Sequence, residues 1–226
     1  YLGQPIRQGI DRDRRLFTVA DAGARNTDPT RIGASAQRSP KHSDNGCLEP
    51  RPPCYLGLFC YRSAASGGDN TIVSARSIYA TVAHERPDLL PLYFDTYHFR
   101  APQAHVWPSR GPTVQKPILE VAGGDLRIHY ARVMIEPGMD LAGTPLTDRQ
   151  RAALDFLDEV LDRPELNFRY TLRPGELLVL NNLVLLHGRE AFEPGSGGRT
   201  LKRLWMWRRH IGPGTDPAAL DLEELA

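Results

Sequence analysis

The sequence predicts a mainly β fold, a β-sandwich or jelly roll with helices packed outside it. Short apolar segments of strand character recur along the chain between Gly, Pro, Asn and Asp turns, and only two or three stretches have helical periodicity. Strands outnumber helices too heavily for a doubly wound sheet, in which the two alternate. The 226 residues suit one domain of generous size, spanning 1–226.

The elements follow in order. The first 46 residues are polar, with one apolar run, L-F-T-V-A at 16–20, expected as an edge strand followed by a long loop. C-Y-L-G-L-F-C-Y at 54–61 is apolar on both alternating faces, as a doubly covered strand would be. S-G-G-D-N at 66–70 reads as a turn, and 74–93 as a helical region interrupted at Pro87. Residues 94–117, rich in Pro, His and aromatics without a period, are expected to form a long loop over a site. P-I-L-E-V-A (117–122) and D-L-R-I-H-Y-A-R (125–132), split by Gly123–Gly124, predict a hairpin. The clearest amphipathic helix is 144–161, with Leu154, Leu157, Val160 and Leu161 as its stripe and Thr147 as N-cap. Strands are expected at 166–172 and 176–186, joined by R-P-G-E, and at 200–209, before an acidic tail.

Composition narrows the function classes. With 41% hydrophobic and 24% charged residues the chain has the make-up of an ordinary soluble protein. A net charge of +1 provides no strong field for nucleic acid or an anionic membrane, so neither is expected as a partner. No apolar run approaches the ~20 residues of a membrane span. Cys47, Cys54 and Cys60 are few, odd in number and badly spaced for zinc; they are expected as plain thiols in a reducing cytoplasm. The chain opens at Tyr1 without Met, so its natural N-terminus and any targeting segment are expected to lie outside the sequence.

Chemistry concentrates at three places. H-S-D at 42–44 sets His42 and Asp44 two residues apart on an extended segment, so they project to one side. N-N-L-V-L-L-H-G-R at 181–189 carries His187 at the end of an apolar strand. Two imidazoles and a carboxylate on one face of a metal leave the opposite positions open, the arrangement of non-haem Fe(II) oxygenases. The last strand puts Arg199, Leu201, Arg203, Trp205, Trp207 and Arg209 on one face, a mixture of aromatics and guanidiniums suited to a cavity for anions. A buried guanidinium is costly without an anion to meet it, and no nearby acid in the sequence supplies one.

The order H-x-D, G-G-D-N-T, N-N-L-V-L-L-H-G-R and R-T-L-K-R-L-W resembles the Fe(II)/2-oxoglutarate dioxygenases of the taurine dioxygenase (TauD/TfdA) and clavaminate synthase type. The resemblance runs from the first few residues to about Arg209, and is most specific where H-G-R is followed by R-x-x-x-R twelve residues after the histidine. It implies a double-stranded β-helix, the cupin-like jelly roll, with Fe(II), 2-oxoglutarate and O₂ as cofactor and co-substrates. It implies His42, Asp44 and His187 as iron ligands and catalytic centre. It implies Arg199 as partner of the distal carboxylate of 2-oxoglutarate, with Thr71 in support, and Arg203 as a contact to the substrate's anionic group. In related halogenases the carboxylate position holds a small residue; Asp44 therefore disfavours halogenation.

Arg132 and Arg189, on or beside strands expected to border the cavity, are further candidates for substrate binding, with inter-strand pairing as the alternative. Asn45, Cys47 and Glu49 are expected as a pocket wall or lid. His84, His98, His105, His129 and His210 have no partner at metal spacing and are read as structural. The expected activity is oxidation of an unactivated C–H bond of a small anionic or zwitterionic molecule, free or tethered to a carrier protein. Hydroxylation is the default; desaturation, epoxidation and cyclisation are variants. The rivals are a cupin-like metal enzyme that does not use 2-oxoglutarate, which leaves Arg199 without a partner, and a β-sandwich binding module without metal. Oligomeric state is not readable from the sequence.

Overall fold

A computed structural model describes residues 3–8, 14–21, 35–46, 52–101, 111–193 and 198–208. In chain order the elements are β1 (Gly3–Pro5), β2 (Leu16–Ala20), β3 (Ser39–His42), β4 (Tyr55–Arg62), β5 (Ser66–Gly67), β6 (Asn70–Ser74), α1 (Ala75–Glu85), β7 (Thr96–Arg100), β8 (Thr113–Pro117), β9 (Leu119–Ala122) and β10 (Asp125–Ile128). They continue with α2 (Arg132–Leu141), α3 (Asp148–Asp162), β11 (Phe168–Tyr170), β12 (Leu177–Asn181), β13 (Leu185–Arg189), β14 (Phe192–Glu193) and β15 (Thr200–Arg208).

Two antiparallel sheets make the jelly roll. The larger runs β1-β15-β4-β12, with β2 also on β15; the smaller runs β11-β6-β13-β3. Leu56, Leu58 and Cys60 of β4, Leu180 of β12 and Leu201 and Trp205 of β15 share one buried cluster with Ile72 of β6, so the sheets face each other. Burying each large aliphatic side chain there contributes about 1.5–3 kcal/mol. Period-2 alternation sends the next residues outward: Val73 of β6 and Leu186 of β13 pack with Ile78, Leu154 and Leu157 of the outer helices.

Several expectations hold. The edge strand at 16–20 is β2, and the strand read at 54–61 is β4, although only its Leu56–Leu58–Cys60 face is covered and Phe59 and Tyr61 are exposed. Gly123 and Gly124 take φ +64° and +83°, the mirror-image turn that closes the β9–β10 hairpin. Thr147 caps α3 in a full capping box with Gln150, and the predicted stripe is buried. Cys54 and Cys60 are free thiols. Cys47, Glu49, His105, His210, Arg209 and the acidic tail lie outside the described residues.

Four expectations are corrected. The loop read at 94–117 contains β7 and β8, paired from Thr96–Pro117 to Arg100–Thr113, with Tyr97 and Phe99 buried in an alternation too short to stand out. The loop read after β2 contains β3. The strand read at 125–132 stops at Ile128, and Arg132 opens α2. Pro137 and Gly138 disguised that helix: a Cβ on Gly138 would lie 2.3 Å from His98 O, so glycine lets α2 press onto β7. Finally, the strand read at 176–186 is two strands, for the chain crosses from the large sheet to the small one between Asn181 and Leu185.

Candidate metal centre

β3 and β13 are neighbours in the small sheet, and His42 stands directly opposite His187 in their register. The ring centroids are 4.6 Å apart. After His42 the chain turns sharply: Asn45 adopts φ +45°, and a Cβ on Gly46 would sit 2.2 Å from Ser43 Oγ. Ser43 fastens the turn by donating its N–H to Tyr130 O and accepting the Tyr130 N–H at its hydroxyl. Asp44 is thereby brought back to the histidines, its Oδ1 3.2 Å from His42 Nε2 and 3.8 Å from His187 Nε2. Ligand atoms of all three residues lie within 4.8 Å of one another.

The chemistry of this donor set suits a divalent metal. His42 Nδ1 is 2.8 Å from Pro40 O, and a carbonyl only accepts, so Nδ1 carries hydrogen and Nε2 faces the cluster. Burial, with the nearby His42 charge, pushes His187 down to about 3, which keeps that imidazole neutral. For His42 burial works the other way from its neighbours, and the Asp44 carboxylate prevails and raises its pKa. Burial opposes the ionised form of Asp44 too, but Arg203 and both imidazoles hold its carboxyl well below the usual range. A metal would replace the proton that His42 and Asp44 share.

Asn182, which the sequence analysis passed over, fixes the turn from the other sheet. Its side chain accepts the Asp44 N–H at 2.8 Å and donates to Asp44 O at 2.8 Å and Pro53 O at 3.0 Å. The N-N pair within an apolar run was its only signal, a turn residue where a strand was expected.

Arg199 is buried, with Asn70 Oδ1 at 3.5 Å and the Phe192 ring at 5.7 Å. Among the described residues no carboxylate pairs with it; burial, then the charge of Arg189, pushes it down to about 10. A guanidinium buried in this way is costly unless an anion meets it. Thr71 departs from the expectation: it is buried on β6 opposite Gly188, where a Cβ would come 3.1 Å from its hydroxyl. Its side chain shares the outer face of Val73 and Leu186, and the β6 side chain that meets Arg199 is its neighbour Asn70.

The other arginines have protein partners. Arg132 departs from the expectation of substrate binding: at the start of α2 it holds Glu136 at 2.9 Å, Asp155 at 2.6 Å and Asp158 at 2.8 Å, tying α2 to α3. Arg189 donates to the carbonyls of Ser35 and Gln37, with its guanidinium 4.8 Å over Phe192. Arg203 reaches Asp44 Oδ2 at 3.2 Å and Gln8 Oε1 at 3.0 Å.

A jelly roll with two imidazoles and a carboxylate converging between its sheets defines a class of mononuclear metal proteins. The chain belongs to the taurine catabolism dioxygenase TauD/TfdA family, whose model matches residues 2–205. It is 29% identical over 214 residues to FR-33289 synthase of Streptomyces rubellomurinus, covering 91% of this chain and 60% of that protein. It is 29% identical over 175 residues to gamma-butyrobetaine dioxygenase of Pseudomonas sp. strain AK-1, covering 76% and 44%. Among solved structures it is similar to asparagine oxygenase in complex with Fe(II), 3-hydroxyasparagine and succinate, with a TM-score of 0.72, 21% identity and coverage of 91% and 60%. It is also similar to the non-haem iron oxygenase OrfP with Fe and alpha-ketoglutaric acid, with a TM-score of 0.66, 18% identity and coverage of 90% and 60%. The chain thus spans about 60% of the length of FR-33289 synthase and of those two oxygenases.

Proposed function

We propose that the chain carries an iron(II)- and 2-oxoglutarate-dependent oxygenase centre that oxidises an unactivated C–H bond of a small molecule, with hydroxylation as the default outcome. The observation that carries this reading is the convergence of His42, Asp44 and His187 in a fold that also buries Arg199 with no carboxylate partner among the described residues. Bound there, iron(II) with 2-oxoglutarate and O₂ supplies the oxidant as the oxoacid is converted to succinate and CO₂. His42, Asp44 and His187 would hold the metal, and Arg199, with Asn70 at its guanidinium, would take the distal carboxylate of the oxoacid. The apolar cluster around Leu56, Leu180 and Leu201 keeps water from the inner wall. A cupin-like enzyme using the same ligands alone leaves Arg199 unexplained.

The substrate class follows from the relatives and from the arginines. Hydroxyasparagine and hydroxyarginine occupy the similar oxygenase structures. Arg132, Arg189 and Arg203 have protein partners, which argues against a strongly anionic substrate gripped by them. A small zwitterion of amino-acid type is the class we assign, free or carrier-tethered, with residues 3–208 acting as one catalytic unit. Free thiols at Cys54 and Cys60 accord with a cytoplasmic setting, and among the described residues no helix is long and apolar enough to cross a membrane.

The test is an anaerobic titration of metal-free protein with Fe(II) and then 2-oxoglutarate, following the visible charge-transfer band of the chelate. A band that collapses on admitting O₂, with succinate formed, supports the reading. Iron binding without any response to 2-oxoglutarate returns the cupin-like alternative. Succinate release stimulated by neutral metabolites and not by amino acids would overturn the substrate class.

A further inference from the structure

Arg203 sits four residues after Arg199, where the resemblance led us to expect a contact with substrate, yet its surroundings point inward. Its Nη1 donates to Asp44 Oδ2 at 3.2 Å and its Nε to Gln8 Oε1 at 3.0 Å. Gln8 is wholly buried and returns a bond from its amide to Arg203 O at 3.2 Å and a second to Arg15 O at 3.0 Å. The guanidinium lies 4.1 Å over the Trp205 ring and 5.1 Å from that of Phe17. Trp205 adds its own donor: Nε1 is 2.7 Å from the same Oδ2 of Asp44.

The two oxygens of Asp44 are therefore divided. Oδ1 faces both histidines, at 3.2 and 3.8 Å, and Oδ2 accepts two donors on the far side. Building on the metal centre proposed above, we infer that Arg203 and Trp205 are positioning residues that hold Oδ2 and so present Asp44 to the metal through one oxygen. A carboxylate that swung both oxygens onto an octahedral ion would occupy a position needed after two imidazoles and a bidentate oxoacid have bound. Rotation of Asp44 toward that state breaks a charge-assisted bond and an indole bond together. β15 and the residue just before it thus serve both ends of the site: Arg199 for the oxoacid, Arg203 and Trp205 for the metal carboxylate.

Isotope-edited difference infrared spectroscopy reads this directly. Protein carrying ¹³C-aspartate is compared with and without Fe(II) under anaerobic conditions, and the separation of the two carboxylate stretches is measured; it is wide for one-oxygen and narrow for two-oxygen ligation. The wild type should show the wide separation, with R203M and W205F shifted to the narrow one and R203K restored toward wild type. Should R203M fold poorly, W205F, which keeps an aromatic ring in place, decides alone. Wild-type separation in both R203M and W205F overturns the inference, as does an R203M whose only change is a weaker response to amino-acid substrates. A wild type with no Fe(II)-induced carboxylate change defeats the metal centre itself, and the two failures are told apart by that control.

Discussion

Asn182 and Asp44, 138 positions apart, are locked together by a reciprocal pair of hydrogen bonds, each 2.8 Å, between one amide side chain and both backbone polar groups of the metal-site aspartate. The pairing works like a stretch of sheet ladder built from a side chain, and it is buried, so loss of either bond strands a polar group away from water. Asn182→Ala should therefore weaken Fe(II) binding about 10- to 100-fold, as outer-shell partners of metal ligands commonly do. Competition with a fluorescent chelator measures it. An unchanged metal affinity would reduce Asn182 to a stabilising turn residue.

Arg199 makes a paired prediction. A buried cation without a carboxylate costs stability, so Arg199→Met should raise the melting temperature of the metal-free protein. The same substitution should weaken 2-oxoglutarate binding by about 2–5 kcal/mol while Fe(II) affinity stays near wild type. Thermal shifts with Fe(II) alone and with Fe(II) plus 2-oxoglutarate separate the two effects.

Arg132 should behave as a purely structural group. Its three carboxylate partners are partly exposed, which discounts each pair, and Arg132→Ala should cost about 1–2 kcal/mol in all. Denaturant midpoints should fall, with substrate kcat/KM unaltered. A raised KM at normal stability would return Arg132 to the binding site.

Alkali should unfold the protein through its tyrosines. Burial raises Tyr93, Tyr97 and Tyr130 above the ordinary value of 10.0. In the unfolded chain they ionise near that value and in the folded chain only above it. Their stabilising contribution is complete below pH 10 and is lost as pH climbs beyond it, at about 1.4 kcal/mol per pH unit for each tyrosine. Tyrosinate absorbance should appear together with loss of the circular dichroism signal. Among the described residues Tyr97 Oη has no hydrogen-bond partner, so Tyr97→Phe should be neutral or stabilising near pH 8 and should flatten the alkaline slope.

The sequence was legible where one residue type has one physical use. Gly123–Gly124 predicted a turn with two positive φ angles, and Thr147 with the leucine stripe predicted α3 with its cap. The convergence of His42, Asp44 and His187 was legible because two histidines and an aspartate in that order follow a known pattern. α2 was not, because Pro137 and Gly138 are helix-breaking by propensity and here answer to tertiary packing against β7. The partners of Arg203 were equally hidden, since Gln8, Asp44 and Trp205 come together only when β15 reaches its final register.

The passage from β12 to β13 carries one more consequence. Within a dozen residues the chain contributes Leu180 to the inner cluster, Asn182 to the aspartate turn, Leu186 to the helix-facing layer and His187 to the metal site. Because strand faces alternate, deleting a single residue between Asn182 and Leu186 would move His187 into the helix-facing place of Leu186 and leave Gly188 opposite His42. The segment is thus a reading frame in three dimensions. Loops elsewhere can lengthen or shrink, whereas a one-residue deletion here would turn the imidazole of His187 into the helix-facing layer, away from His42 and Asp44.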